Sequence, residues 1–183
     1  MEYLREYLAA LQEAAAALDL GAVQRLRDAC AAVRQRGGRI YLCGNGGSAA
    51  TASHIANDLG KGASHSGAGR FRVMALTDNV PWVTALANDL DYSEVFAEQL
   101  ANFAEPGDLL IGISGSGNSA NVLRAVEVAK ERGVETAAVT GFGGGLLAPL
   151  VDYPVVVESD HMGRVEDLHM VILHMVGYYF MER

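Results

Sequence analysis

The chain has 183 residues, half of them apolar, and a formal net charge of −8. That length and apolar content suit one domain with a substantial core. The acidic balance argues against nucleic acid or an anionic membrane as the main partner, since both call for a basic face. A small anionic substrate stays open, because helix N-termini and turn amides make local positive sites even in acidic proteins. The two cysteines, Cys30 and Cys43, lack metal-ligand spacing and fit a reducing compartment. The N-terminus MEYLREYLAALQEA has no basic leader, and no apolar run nears the ~18 residues of a membrane span. A soluble, cytoplasmic protein is expected.

In chain order, residues 1–36 read as two helices. Leu4, Leu8, Leu11, Ala15 and Leu18 form a seam of two heptads, short of the three or four that a coiled coil needs. The seam suits a helix lying on its own domain and one packing against other subunits equally well. Short apolar strands follow at 39–43, 71–77, 108–114, 135–140 and 153–158. Helices are expected at 48–60, 80–88, 93–103 and 118–132, the last with Val122, Ala125, Val126 and Ala129 on one face and Gly133 as its C-cap. A final helix, GRVEDLHMVILHMVGYYF, carries Val165, Leu168, Ile172, Met175 and Tyr179 on an apolar side. Alternating strands and helices predict an α/β fold: a three-layer αβα sandwich around a five-stranded parallel sheet, in a single domain with its core at 37–183.

Two loops repeat a pattern. CGNGGSAA follows the first strand and SGSGNSAN the third, each containing G-x-G-x-x-A. Both fall where an open parallel sheet binds ligands, and glycines let backbone amides approach phosphate oxygens. A dinucleotide site would want an acid about 20 residues after the first loop. GKGASHSGAGR offers none and reads as a loop. No G-x-x-x-x-G-K-[ST] motif is present either. The second loop instead gathers Ser114, Ser116 and Ser119, with Asn118 at a helix start, which suits a compact terminal phosphate. A sugar phosphate fits best.

Chemistry has two helical sources. His54 and Asp58 are four apart and share a helix face. The final helix holds Glu166, Asp167, His169 and His174, and His174 lies in an otherwise apolar stretch where an imidazole needs a partner. Other residues carry bland readings. Cys43 belongs to the core, Trp82 packs at a helix start, and Lys61, His65, Arg70 and Arg72 sit in a solvated loop. TGFGGGLL reads as a turn without chemistry.

The loops CGNGGS and S-x-S-G-N-S-A-N-V, together with H-x-x-x-D and E-D-x-H-x-x-x-x-H, resemble the sugar isomerase (SIS) fold, and within it the bacterial phosphoheptose isomerases. The resemblance spans the whole chain. It implies a homotetramer built partly by the two N-terminal helices, with active sites where subunits meet. It implies interconversion of sedoheptulose 7-phosphate and an aldoheptose 7-phosphate, often with zinc. Substrate binding falls on Asn45, Gly46, Gly47, Ser48, Asp58, Asn88, Asp89, Ser114, Gly115, Ser116, Ser119 and Glu166. Metal and catalytic positions fall on His54, Asp58, Glu166 and His174, with Asp58 and His174 as the acid/base pair. The chain departs from the family's usual pattern in four places: Asp58 stands for a glutamate, Glu166 for a glutamine, Gly115 for a threonine and Gly163 for an aspartate. Two carboxylates and two imidazoles favour a Zn²⁺ among them, since like charges would otherwise force one acid to hold its proton. Glu166 and His174 lie eight residues apart, about 12 Å along a helix, so both reach one ion only with extended side chains or from different subunits. Asp167 competes for the same role. A non-catalytic relative, a replication-initiator-associating factor, shares these loops and remains the alternative.

Overall fold

The computed structural model describes residues 1–65 and 69–183. Its one five-stranded sheet holds β1 (Arg39–Gly44), β2 (Arg72–Ala75), β3 (Leu109–Ser114), β4 (Glu135–Thr140) and β5 (Tyr153–Val156), all parallel, in the order β2-β1-β3-β4-β5. Ile40 and Leu42 enter one apolar cluster while Tyr41 and Cys43 enter another, because successive strand side chains point to opposite faces. On the first face pack α2 (Leu20–Arg36), α3 (Gly47–Asn57) and α7 (Met162–Glu182). The second face is covered by α5 (Ala97–Phe103) and α6 (Ala120–Glu131), with α4 (Val80–Asp89) at its margin. Both faces are covered over β1, β3 and β4, which is why those strands read as near-continuous apolar runs, whereas Arg72 and Met74 of β2 are exposed. The expected α/β layering is observed.

Strand order reverses between β1 and β3. The chain runs from β1 out to β2 and crosses back to β3 on the other side. Gly44 of β1 is registered with Ile113 of β3, so the loops leaving both strands open on one crevice at the carboxyl edge. This switch point is where sheets of this kind bind ligands.

Several boundaries shift. The helix expected at 48–60 divides: α3 ends at Asn57, and a π turn (Asp58–Gly62) and a 3₁₀ turn (Ala63–His65) follow where part of a loop was expected. Residues 66–68 of that loop lie outside the described residues. The helix at 93–103 becomes a 3₁₀ turn at Tyr92–Glu94 followed by α5, and α6 begins two residues later than expected. On α7 the buried stripe is Val165, Leu168, His169, Ile172, Leu173, Val176 and Phe180. Met175 and Tyr179 are exposed, because a stripe along a 3.6-residue helix runs through 172, 176 and 180.

The N-terminal seam splits between its two readings. In and after α1 (Glu2–Ala16), Leu11, Ala15 and Leu18 pack on the protein's own core, whereas Leu4 and Leu8 are 56% and 58% exposed. No described helix is long and apolar enough to cross a membrane.

Candidate active site

The last turn of α3 and the π turn that continues it bring His54 and Asp58 onto one face, and α7 lays His174 across them. His54 Nε2 is 2.9 Å from His174 Nε2, and Asp58 Oδ2 lies 3.2 Å and 3.6 Å from these two nitrogens. The imidazole rings meet edge to face, with centroids 5.0 Å apart. Gly177, one turn beyond His174, packs beside Asp58, where a β-carbon would make an ordinary contact of 3.8 Å with Asp58 Cβ. The widened π turn places Asp58 at this junction, a kind of helix irregularity that recurs at functional sites.

Protons alone do not satisfy this group. One imidazole can donate to the other, yet buried Asp58 Oδ2 accepts no hydrogen bond among the described residues. A buried carboxylate oxygen left so is costly. The three facing atoms all lie within 4.8 Å of one another, a grouping able to hold a metal ion. The ligand atoms of a tetrahedral zinc, each at about 2.0–2.2 Å, sit roughly 3.4 Å apart, close to the observed separations. The donor set fits a divalent cation.

Glu166 stays outside this trio within one chain. Its carboxylate rests over the first glycine loop, with Oε1 2.8 Å from where a β-carbon of Gly47 would stand, so glycine is needed at 47 for this approach. It shares with His54 a groove of about 740 Å³ between α1, α3 and α7. Asp167 lines the same groove and accepts from the Tyr7 hydroxyl at 2.6 Å, which raises the phenol's pKa. Gly163 falls inside the first turn of α7, beneath that same hydroxyl.

The serine turn after β3 is compact. Ser114, buried, shares a hydrogen bond of 3.0 Å with Ser119, and the Ser116 hydroxyl accepts from the Asn118 amide at 3.2 Å. Neither Gly46 before α3 nor Ser119 before α6 caps its helix with a side chain. Two helix N-termini therefore meet the crevice with amides that an anion can use. Met162 fills the space that a side chain at Gly115 would occupy. Asn45 pairs with Asn121, each amide donating to the other at 2.8 Å. Ser48 is buried in the first turn of α3, while Asn88 and Asp89 stand exposed at the end of α4, bonded to each other at 2.8 Å.

Sequence reasoning missed the glycine run after β4. It braces the serine turn: Gly141 N donates to Gly115 O and Leu147 N to Gly117 O, both at 2.9 Å, while Leu146 N donates to Asn118 Oδ1 at 3.0 Å. Gly117 takes φ +66° and lies against the Gly144 backbone, so any side chain there would collide. The available signal was a third glycine-rich stretch leaving the same sheet edge. Cys43 is core as expected, its thiol pushed up to about 12 by burial, and Trp82 meets Phe103 edge-on at the start of α4.

Comparison with known proteins agrees with this geometry. Residues 2–141 match the SIS domain family. A phosphoheptose isomerase from Akkermansia muciniphila is 36% identical over 96% of this chain and 93% of its own. The solved phosphoheptose isomerase GmhA from Neisseria gonorrhoeae superposes with a TM-score of 0.86 at 33% identity, covering 98% of this chain and 95% of that one. A phosphoheptose isomerase from Francisella tularensis gives 0.90 at 30% identity, covering 100% and 96%. With the paired loops, the switch-point crevice and these relatives in agreement, the chain belongs to the phosphoheptose isomerase family of SIS-domain proteins.

Proposed function

We propose that this protein is a cytoplasmic ketose–aldose isomerase interconverting sedoheptulose 7-phosphate and an aldoheptose 7-phosphate. The observation that carries the reading is the meeting of His54, Asp58 and His174, with His54 lining one groove together with Gly47 of the first glycine loop and Glu166. Ser114, Gly115, Ser116 and Ser119, with the N-terminus of α6, hold the phosphate. Asn45, Gly46, Gly47, Ser48, Asn88, Asp89 and Glu166 contact the sugar. Anchoring the distant phosphate fixes C1 and C2 against the catalytic groups. Asp58 takes a proton from C1 of the ketose and returns it to C2, through a cis-enediol(ate). His174 moves the hydroxyl proton between O1 and O2. His54, Asp58 and His174 would hold one Zn²⁺, leaving a position open, and the ion would supply Lewis-acid stabilisation of charge on those oxygens.

The assembly belongs to this reading. Tyr3, Leu4 and Leu8 on α1 and Val171 and Tyr178 on α7 are exposed apolar side chains, which supports a homotetramer with active sites completed where subunits meet. Leu8→Glu is expected to give smaller species by size-exclusion chromatography with light scattering; an unchanged mass would remove α1 from the interface. The function itself is tested by incubating zinc-loaded protein with sedoheptulose 7-phosphate and following aldose formation by NMR. Absence of turnover by the intact oligomer would leave the non-catalytic reading in its place.

A further inference from the structure

Asn121 lies in the first turn of α6 and is 2% exposed. Its Nδ2 donates to Asn45 Oδ1 and its Oδ1 accepts from Asn45 Nδ2. The Tyr92 hydroxyl adds a third bond, 3.1 Å to the same Asn45 Oδ1. A carboxamide offers two acceptor sites and two donor hydrogens. Both acceptor sites of Asn45 are therefore occupied, one hydrogen goes to Asn121, and a single N–H remains for a ligand, its direction fixed by the other bonds.

The amide pair also spans the crevice. Asn45 belongs to the turn after β1, from which α3 departs toward His54 and Asp58. Asn121 belongs to the helix whose N-terminus carries the serine turn. An apolar contact at this place would tolerate sliding. A reciprocal amide pair with Asn121 buried and Asn45 half-buried favours one arrangement, because a shift leaves the buried Asn121 amide with a donor or acceptor unmatched.

We propose that Asn121 is a positioning residue for the isomerase reaction, setting Asn45 and the start of α3 at one spacing from the phosphate-holding turn. A sugar gripped by its phosphate then presents C1 and C2 to Asp58 at a single distance. This rests on the isomerase reading above and adds a residue to it that touches neither the substrate's phosphate nor its carbonyl carbons.

The test compares wild type with Asn45→Ala, Asn121→Ala and the double variant, measuring kcat and KM for sedoheptulose 7-phosphate and the inhibition constant of inorganic phosphate. Asn121→Ala is expected to lower kcat/KM about tenfold, mostly through kcat, with phosphate inhibition within about twofold of wild type. The double variant should be no slower than Asn45→Ala, since both act through one interaction. If Asn121→Ala does not fold, Asn121→Asp keeps the size but sets oxygen against oxygen at Asn45 Oδ1, and the same loss is expected. Unchanged kcat/KM in an otherwise active enzyme, additive losses, or phosphate binding that falls in step with turnover would each overturn the proposal alone. An inactive wild type that still binds phosphate would remove the isomerase reading, and this proposal with it.

Discussion

The two edges of the sheet treat their polar groups in opposite ways. At the amino edge, buried Asp108 accepts from Arg39 N at 2.7 Å, Glu105 N at 3.0 Å and the Tyr41 hydroxyl at 3.3 Å. Asp152 takes the amide and hydroxyl of Thr136 at 2.9 Å and 2.8 Å. Glu135 is held by Arg36 at 2.5 Å and by the Tyr153 hydroxyl at 2.8 Å. On the carboxyl side, at the end of β4, Thr140 Oγ1 is buried without a hydrogen-bond partner among the described residues. Along the helices α3 and α7 that set out from there, Asp58 Oδ2 faces only the two imidazoles, and buried His169 has no stronger partner than the Thr140 backbone. Nitrogens of Arg34 and Arg164 are unpaired as well, but their guanidinium groups lie over aromatic rings. At one edge Asp108, Glu135 and Asp152 are all engaged and stabilise the fold. The other leaves groups unengaged, which is what a site awaiting a cation and a substrate requires.

Breaking the carboxyl edge should abolish activity and spare the fold. Asp58→Asn and His174→Ala are each expected to lower kcat by between about a hundredfold and ten-thousandfold, the range for acid–base groups. Bound zinc, measured by elemental analysis, should fall in both. The melting temperature of Asp58→Asn should stay near that of wild type, since the amide keeps the size of the carboxyl between His54 and His174. Near-normal turnover in both variants would remove these residues from the site.

At the amino edge the converse substitution is Asp108→Ala. It leaves two backbone amides without their acceptor, at a cost of about 3 kcal/mol, while the Tyr41 hydroxyl keeps Phe103 O at 2.9 Å. Denaturant unfolding should show that loss. Turnover at a temperature well below the transition should stay within about twofold of wild type. A large fall in kcat with little change in stability would mean that the two edges are not separate in role.

How much of this was legible in the sequence follows from the range of each interaction. Alternating apolar runs and glycine loops are local patterns, and they sufficed for the parallel sheet and for both turns at its carboxyl edge. His54 and Asp58 are one helical turn apart, so their shared face was readable too. His174 drew notice only as an imidazole in an apolar stretch; that it reaches His54 depends on how α7 crosses α3, which no spacing encodes. The same crossing separates Glu166 from the trio and lays it on Gly47. The Asn45–Asn121 pair and the brace from the run after β4 join segments far apart in the chain, and their residue types look like ordinary turn chemistry until the sheet sets them side by side.

His169 gives the finest test of the difference between the edges. It lies 1% exposed on α7, and burial depresses its pKa to about 4, with a contact to the Thr140 backbone opposing only part of that shift. The folded-state value lies below the ordinary imidazole value of 6.5, so the unfolded chain takes up a proton that the folded chain refuses. The contribution is complete above pH 6.5 and is lost as the pH falls toward 4, amounting to about 2 kcal/mol by pH 5. Replacing it by leucine removes the titrating group from an apolar layer at the cost of at most its contact with the Thr140 backbone. His169→Leu should therefore match wild type within about 1 kcal/mol at pH 8 and lose less stability than wild type between pH 6.5 and 5. Parallel stability–pH curves for the two proteins would show that His169 titrates as an exposed imidazole does, and that the carboxyl edge is wetter than its packing implies.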